Sequence, residues 1–221
     1  MGGSIWLGKG TAELASVVGD AKISQSASLL NDISNSLERA KLKLEDVEVF
    51  ACASGPGSFT GLRIGIATLK ALAASLDKPC FGVSTLYAVA RASGASDATV
   101  ALLPAGRGEV FAQQFSVSDD LKVTPLDSAS HLTPQKLIER YASFSAMMWA
   151  GTGADAQREL IEREAQASKS DWRFAQTESN LARHIAALAL ELFQAGEIQS
   201  PHSLRAIYVR PSDAELNQKC L

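Results

Sequence analysis

The chain has 221 residues, of which 46% are hydrophobic and 20% are charged, and its formal net charge is −3. This length allows one large domain or two small ones with a real core, and the acidic balance excludes a broad basic surface for nucleic acid. Because no apolar run approaches the roughly 20 residues of a membrane span and the first residues lack a signal-peptide pattern, a cytoplasmic protein without membrane contact is expected.

The first elements are predicted from simple alternation and helical spacing. Residues 4–7 and 13–18 predict a hairpin, with the turn at Gly8-Lys9-Gly10-Thr11. Residues 26–41 predict an amphipathic helix, because Leu30, Ile33 and Leu37 fall on one face.

The most informative stretch covers residues 47–76. Residues 47–53 form a nearly continuous apolar run, which predicts a buried strand. Gly55-Pro56-Gly57 ends that strand, and Ser58 is placed to cap a following helix. Residues 59–76 are apolar on most sides, which predicts a helix buried all round.

The glycine turn before this helix is a candidate anion-binding site formed by Gly55, Gly57 and Ser58, because free helix amides attract anions. However, the P-loop and the dinucleotide fingerprint both require a glycine where this chain has Thr60. The alternative is a turn that serves packing alone. No resident cofactor is therefore expected, and weak nucleotide binding stays open.

The second half alternates strands and helices. Strands are predicted at residues 80–83, 99–103, 109–117, 121–124, 146–150 and 171–174. Helices are predicted at 85–91, capped by Ser84, at 134–141, from the turn at 151–153 through 164, and at 178–194. Thr133 is expected to cap the helix that Pro134 begins. The loop at residues 104–108 predicts a division into lobes 1–103 and 104–221.

No catalytic residue and no metal site is predicted. His131, His184 and His202 lack metal-ligand spacing, and the G-x-S-x-G nucleophile elbow is missing. Cys52, Cys80 and Cys220 are far apart and odd in number, which favours buried thiols over a disulfide or a metal site.

Three segments resemble one known family. ASGPGSFTGLRIGIATLKALA at residues 53–73 resembles the signature of the bacterial TsaB family, and GRGEVFAQ at 106–113 and YVRPSDAE at 208–215 resemble two further family motifs. The resemblance implies an α/β fold of the actin-like (ASKHA, ribonuclease H-like) type, with two lobes of mixed sheets flanked by helices.

The resemblance also implies a function. TsaB-like chains are non-catalytic assembly and dimerisation subunits of the machinery that makes threonylcarbamoyladenosine (t6A) in tRNA. Their implied partners are a TsaD-type paralogue and a TsaE-type ATPase, and tRNA would be reached only through the complex. The alternative, which the fold permits, is an actin-like ATPase or phosphotransferase acting alone.

A partner interface is expected on helices 26–41 and 59–76, because one small lobe offers too few neighbours to cover a helix that is apolar all round. Gly61 and Gly65 would let another helix approach closely, and Arg63 could pair with a partner's carboxylate or lie along the surface. The expected interface residues are Phe59, Gly61, Leu62, Arg63, Gly65, Ile66, Leu69, Leu30, Ile33 and Leu37. The partner would be TsaD or a second copy in a homodimer.

One expected element is missing. TsaB-like chains open with an apolar strand that ends in Asp-Thr, whereas Ser4-Ile5-Trp6-Leu7 corresponds to the family's second strand. The first strand of lobe one is therefore expected to be absent, through either a late annotated start or a real truncation. The aspartate that would help to hold a metal-nucleotide is absent with it.

Overall fold

The computed structural model describes residues 3–19 and 25–209. The strands are β1 (Ser4–Lys9), β2 (Ala12–Val18), β3 (Phe50–Gly55), β4 (Cys80–Ser84), β5 (Ser96–Gly106), β6 (Glu109–Val117), β7 (Val123–Pro125), β8 (Ser130–Leu132), β9 (Ala146–Ala150) and β10 (Asp171–Phe174). The helices are α1 (Gln25–Arg39), α2 (Phe59–Ser75), α3 (Thr85–Ala92), α4 (Pro134–Tyr141), α5 (Thr152–Ala156), α6 (Arg158–Ser168) and α7 (Ala182–Gln194), with short 3-10 turns at Leu44–Asp46 and Pro201–Ser203.

The chain divides into two compact units, and the division differs from the predicted one. Of the described residues, unit 1 comprises those up to Thr85 and Ser179–Ile207, and unit 2 comprises Leu86–Glu178 and residues 208–209. A boundary after residue 103 would cut through β5, which forms a long antiparallel hairpin with β6. The C-terminal helix α7 belongs to unit 1 because it packs against β1, β3 and β4.

Unit 1 contains two separate strand pairs. β1 pairs with β2 in antiparallel fashion, and β3 pairs with β4 in parallel fashion. Among the described residues the two pairs share no hydrogen-bonded ladder, although α7 packs against β1 and β3 alike.

The core of unit 1 lies between α2 and the β3–β4 pair. Its buried residues are Phe50, Leu62, Ile66, Ala73, Cys80 and Leu204. Cys80 is fully buried and Cys52 is half-buried, and both are free thiols. Burial raises the pKa of Cys52 to about 12, with a smaller contribution from Cys80. The third cysteine, Cys220, lies outside the described residues.

Unit 2 is built on a mixed sheet in the order β10-β9-β5-β6-β7, with β8 also paired to β6. β10, β9 and β5 run parallel, and β6 is antiparallel to β5. One face is filled by an aromatic cluster in which Trp149 contacts Tyr141 and Trp172 edge to face. Together the units confirm the predicted α/β fold of mixed sheets flanked by helices.

None of the helices in the described part of the chain combines the length and the apolar character needed to span a membrane.

Candidate interface and anion-binding turn

The start of α2 is built as the sequence predicts. The hydroxyl of Ser58 accepts a hydrogen bond from the Gly61 N–H at 3.3 Å, and the Ser58 carbonyl accepts from the Leu62 N–H at 2.9 Å. Ser58 is therefore the N-cap, and two of the amides at the helix end are satisfied within the chain.

The glycine turn has a packing role at Gly55. This residue has a φ of 121°, which favours glycine, and a Cβ built on it would lie only 2.4 Å from the Ile207 carbonyl oxygen. A larger residue would push the segment containing Ile207 away. Gly57 and Ser58, by contrast, are exposed. Packing against Ile207 thus explains why position 55 requires glycine. Anion binding at the turn stays a prediction.

α2 is not buried on all sides, and this corrects the sequence prediction. Leu62 and Ile66 are buried in the core of unit 1, where they face the β3–β4 pair, and Leu69 packs partly against the same core. The sequence analysis expected Leu62 and Ile66 to contact a partner. Because both side chains are buried in the core of unit 1, they cannot supply surface contacts. The opposite side of the helix carries small and polar exposed residues, namely Thr60, Arg63, Ala67, Ala71 and Ala74.

Gly61 and Gly65 lie on a different side of α2 from Arg63. Each is two residues from Arg63, and residues two apart in a helix point to nearly opposite sides. A Cβ built on Gly65 meets no atom within 4 Å, so the position is open to a larger side chain, and Gly61 is half-buried one turn earlier. Close approach of another helix at the two glycines stays a prediction.

Two larger side chains stand at the start of the exposed side of α2. The guanidinium carbon of Arg63 lies 3.7 Å from the centroid of the Phe59 ring. Phe59 is 37% exposed. The stack orients Arg63 along the helix surface, so the aromatic ring and the positive charge are presented together.

The neighbouring helix α1 contributes a further apolar residue. α1 packs against α2, and Leu30 is 61% exposed, whereas Ile33 and Leu37 are half-buried. We call the exposed parts of these two adjacent helices the α1–α2 face, on which Leu30, Phe59 and Arg63 are exposed, whereas Gly65 is on another side of α2.

Two carboxylates of unit 2, those of Glu109 and Asp155, contact nearby side chains. Glu109 lies 2.8 Å from the Nε2 atom of His131, which belongs to β8. Asp155 contacts Arg158 at 3.3 Å and accepts a hydrogen bond from Thr177. Within the described ranges no three His, Cys, Asp or Glu side chains are grouped so that they could hold a metal ion.

No local sequence pattern predicts a role for the segment that follows α7. Residues 199–207, called the strap, cross the β3–β4 pair. The Lys70 ammonium donates to the carbonyls of His202 and Leu204, each at 3.4 Å, and the Ile207 N–H donates to the Ser54 carbonyl at 2.7 Å. Residues 199–203 carry no apolar pattern that would predict this role, and the strap's apolar contacts with the core come from the buried Leu204 and the partly buried Ala206. Of the motif at 208–215, residues 210–215 lie outside the described residues.

These features define an actin-like α/β protein whose most distinctive surface is a pair of helices. The family described as TsaD, tRNA N6-adenosine threonylcarbamoyltransferase, matches residues 20–209. The chain therefore belongs to this family, and within it the chain is of the TsaB type.

Individual relatives support the TsaB type. The tRNA threonylcarbamoyladenosine biosynthesis protein TsaB of Escherichia coli K12 is 27% identical over 187 residues, covering 82% of this chain and 79% of the relative. The protein of the same name from Haemophilus influenzae is 28% identical over 193 residues, covering 83% and 76%. A crystal structure from Pseudomonas aeruginosa, described as an uncharacterized protein with similarity to peptidase YEAZ, superposes with a TM-score of 0.75 at 24% identity and covers 89% of each chain. This last likeness shows the fold.

Proposed function

We propose that this chain is a TsaB-type subunit in the biosynthesis of threonylcarbamoyladenosine in tRNA. The observation that carries the proposal is the segment 53–73, which forms the end of β3, the glycine turn and most of α2, a helix with one exposed side. The relatives that share 76% or more of their length with this chain are named for this pathway.

The proposed partner is a TsaD-type paralogue, which would dock on the α1–α2 face. The match of this chain to the TsaD family supports a paralogous partner with a similar lobe. Leu30 and Phe59 offer exposed apolar area, the Arg63 guanidinium stacked on Phe59 adds a planar surface, and Gly65, on another side of α2, leaves room for a helix. The same face would serve a homodimer when TsaD is absent, and a TsaE-type ATPase would join the assembled pair.

Within this assembly the chain would have no catalytic role of its own. The net charge of −3 supports tRNA contact through another subunit. Among the residues that the structure describes, the buried Ser54 hydroxyl next to the glycine turn has no hydrogen-bond partner, which supports the proposal because a serine nucleophile needs a base within hydrogen-bond reach. The runner-up is a stand-alone actin-like ATPase or phosphotransferase with a resident nucleotide.

Two experiments test the proposal. Size-exclusion chromatography of this chain mixed with the TsaD protein of the same organism should give a joint peak, and the pair with the TsaE protein, ATP and tRNA should form t6A that is lost when this chain is omitted. Independent elution together with undiminished t6A formation would contradict the proposal.

The catalytic alternative is tested on the isolated chain. Calorimetric titration with ATP and magnesium should show weak binding or none, and no sustained hydrolysis is expected. Hydrolysis at about 1 s⁻¹ or faster, a rate typical of enzymes, that disappears in Gly57→Val would favour the stand-alone ATPase.

A further inference from the structure

β4 is an edge strand whose outer side would be open without the strap. The Phe50 N–H of β3 donates to the Pro79 carbonyl at 3.0 Å, and Phe50 stands opposite Cys80 in the parallel register. In a parallel pair, successive residues of one strand point their N–H groups to alternate sides. The N–H groups of Cys80 and Gly82 therefore point away from β3.

A single residue of the strap accepts hydrogen bonds from both outward N–H groups. The Cys80 N–H donates to the Gln199 carbonyl at 3.1 Å, and the Gly82 N–H donates to the Gln199 side-chain Oε1 at 2.8 Å. Gln199 thus occupies the place that the backbone of a further strand would take.

The strap holds Gln199 firmly at this edge. Leu204 is 2% exposed in the core of unit 1, and a Cβ built on Gly82 would lie 2.6 Å from the Leu204 Cδ1 atom. Lys70 adds hydrogen bonds to two strap carbonyls. The absence of a side chain at Gly82 therefore lets the strap lie close enough for Gln199 to reach β4.

We propose that Gln199 guards the edge of β4 against pairing with a second copy of this chain. An edge strand with free N–H groups is a template for another strand, and proteins commonly block such edges with a loop. β4 has the apolar sequence CFGVS, and the neighbouring Ile198 is 89% exposed. A second copy carries the same edge, so the two edges would pair about a two-fold axis once Gln199 no longer covers them.

The test uses substitutions that differ in acceptor capacity. Gln199→Met keeps the side-chain volume but removes the Oε1 acceptor, whereas Gln199→Glu keeps an acceptor at the same reach. Gln199→Ala is a smaller second variant, and Gln194→Met is the control, because Gln194 is an exposed residue at the end of α7. Mass is measured by light scattering over a concentration series, and exchange of the Gly82 amide is followed by hydrogen–deuterium exchange.

The expected result is that Gln199→Met and Gln199→Ala double the mass of the wild-type species at high concentration. At low concentration, where the copies are separate, the Gly82 amide should exchange roughly tenfold faster because it loses its acceptor. Gln199→Glu and Gln194→Met should behave like the wild type. The proposal is overturned if the Gly82 amide exchanges faster in Gln199→Met while the mass stays at the wild-type value, if Gln199→Glu associates as strongly as Gln199→Met, or if neither observable changes.

Discussion

Arg63 and Phe59 form a stacked pair on the outer side of α2, with 3.7 Å between the guanidinium carbon and the ring centroid. The two residues are four positions apart, so they are neighbours on one helix side. An exposed pair of this kind contributes only about 0.5–1 kcal/mol to folding. Its position on the α1–α2 face, together with the enrichment of aromatic and arginine side chains at binding hot spots, points to a role in binding.

Replacing Arg63 by alanine should therefore weaken binding to the TsaD protein much more than it weakens the fold. We expect the Kd to rise about tenfold or more, with a change in unfolding free energy of about 1 kcal/mol or less. Arg63→Lys should give an intermediate Kd, because lysine keeps the charge but not the planar group. The control is Arg173→Ala, an exposed arginine of unit 2 that pairs with Asp171 on its own strand. An unchanged Kd in Arg63→Ala would exclude Arg63 from the interface.

Gly65→Trp should separate the subunits while the chain stays folded. The open space around Gly65 accommodates the indole ring, and removing glycine from a helix interior is itself favourable by up to about 1 kcal/mol. Circular dichroism should be unchanged, and co-elution with TsaD should be lost. Gln166→Trp on the exposed side of α6 serves as the control for added bulk. Loss of helical signal would mean that this side of α2 is ordinary core, and retained co-elution would place the interface elsewhere.

Asp127→Ala should destabilise the chain strongly. The Asp127 carboxylate accepts hydrogen bonds from the Gln114 N–H at 2.7 Å, the Tyr141 hydroxyl at 3.0 Å and the Arg140 guanidinium at 2.9 Å. Gln114 and Tyr141 are buried, and each buried donor left without a partner costs roughly 1–3 kcal/mol. We expect a loss of about 2–4 kcal/mol in urea unfolding. Asp171→Ala removes an exposed ion pair and should cost about 1 kcal/mol or less; equal losses in both variants would refute the prediction.

The sequence predicts the elements whose signals are local. Thr133 and Pro134 mark the start of α4, and the Thr133 hydroxyl does accept from the Lys136 N–H at 3.4 Å. α4, β9 and β10 begin and end at the predicted residues. The predicted cap at Ser58 is also confirmed. A helix cap can be predicted from local sequence because it depends on residues within one helical turn.

What the sequence does not predict depends on residues far apart in the chain. Periodicity shows that α2 is apolar, but only the packing of the β3–β4 pair decides that Leu62 and Ile66 face inward and Ala67 faces outward. The strap is a further case. Its contact between Gln199 and Gly82 joins residues 117 positions apart, and no local pattern encodes that contact. The sequence thus predicts α1 and α2 as the candidate interface, whereas the structure identifies which of their residues are exposed.

The two thiols of unit 1 should make the chain sensitive to alkali. Burial raises the pKa of Cys52 to about 12 and that of Cys80 to about 11, from an ordinary value of 9.0. The native state therefore holds these protons more tightly than the unfolded state, so the stability they contribute is fully present below pH 9 and is lost as the pH rises toward 11–12. The urea midpoint should be flat from pH 7 to 8.5 and fall above pH 9.

Cys80→Ala should lower the urea midpoint at pH 7, because it leaves a small cavity, but should flatten the decline of the midpoint above pH 9. Burial also raises the pKa of Tyr141, so part of the decline should persist in this variant. A decline of unchanged slope in Cys80→Ala would show that Cys80 does not contribute to it.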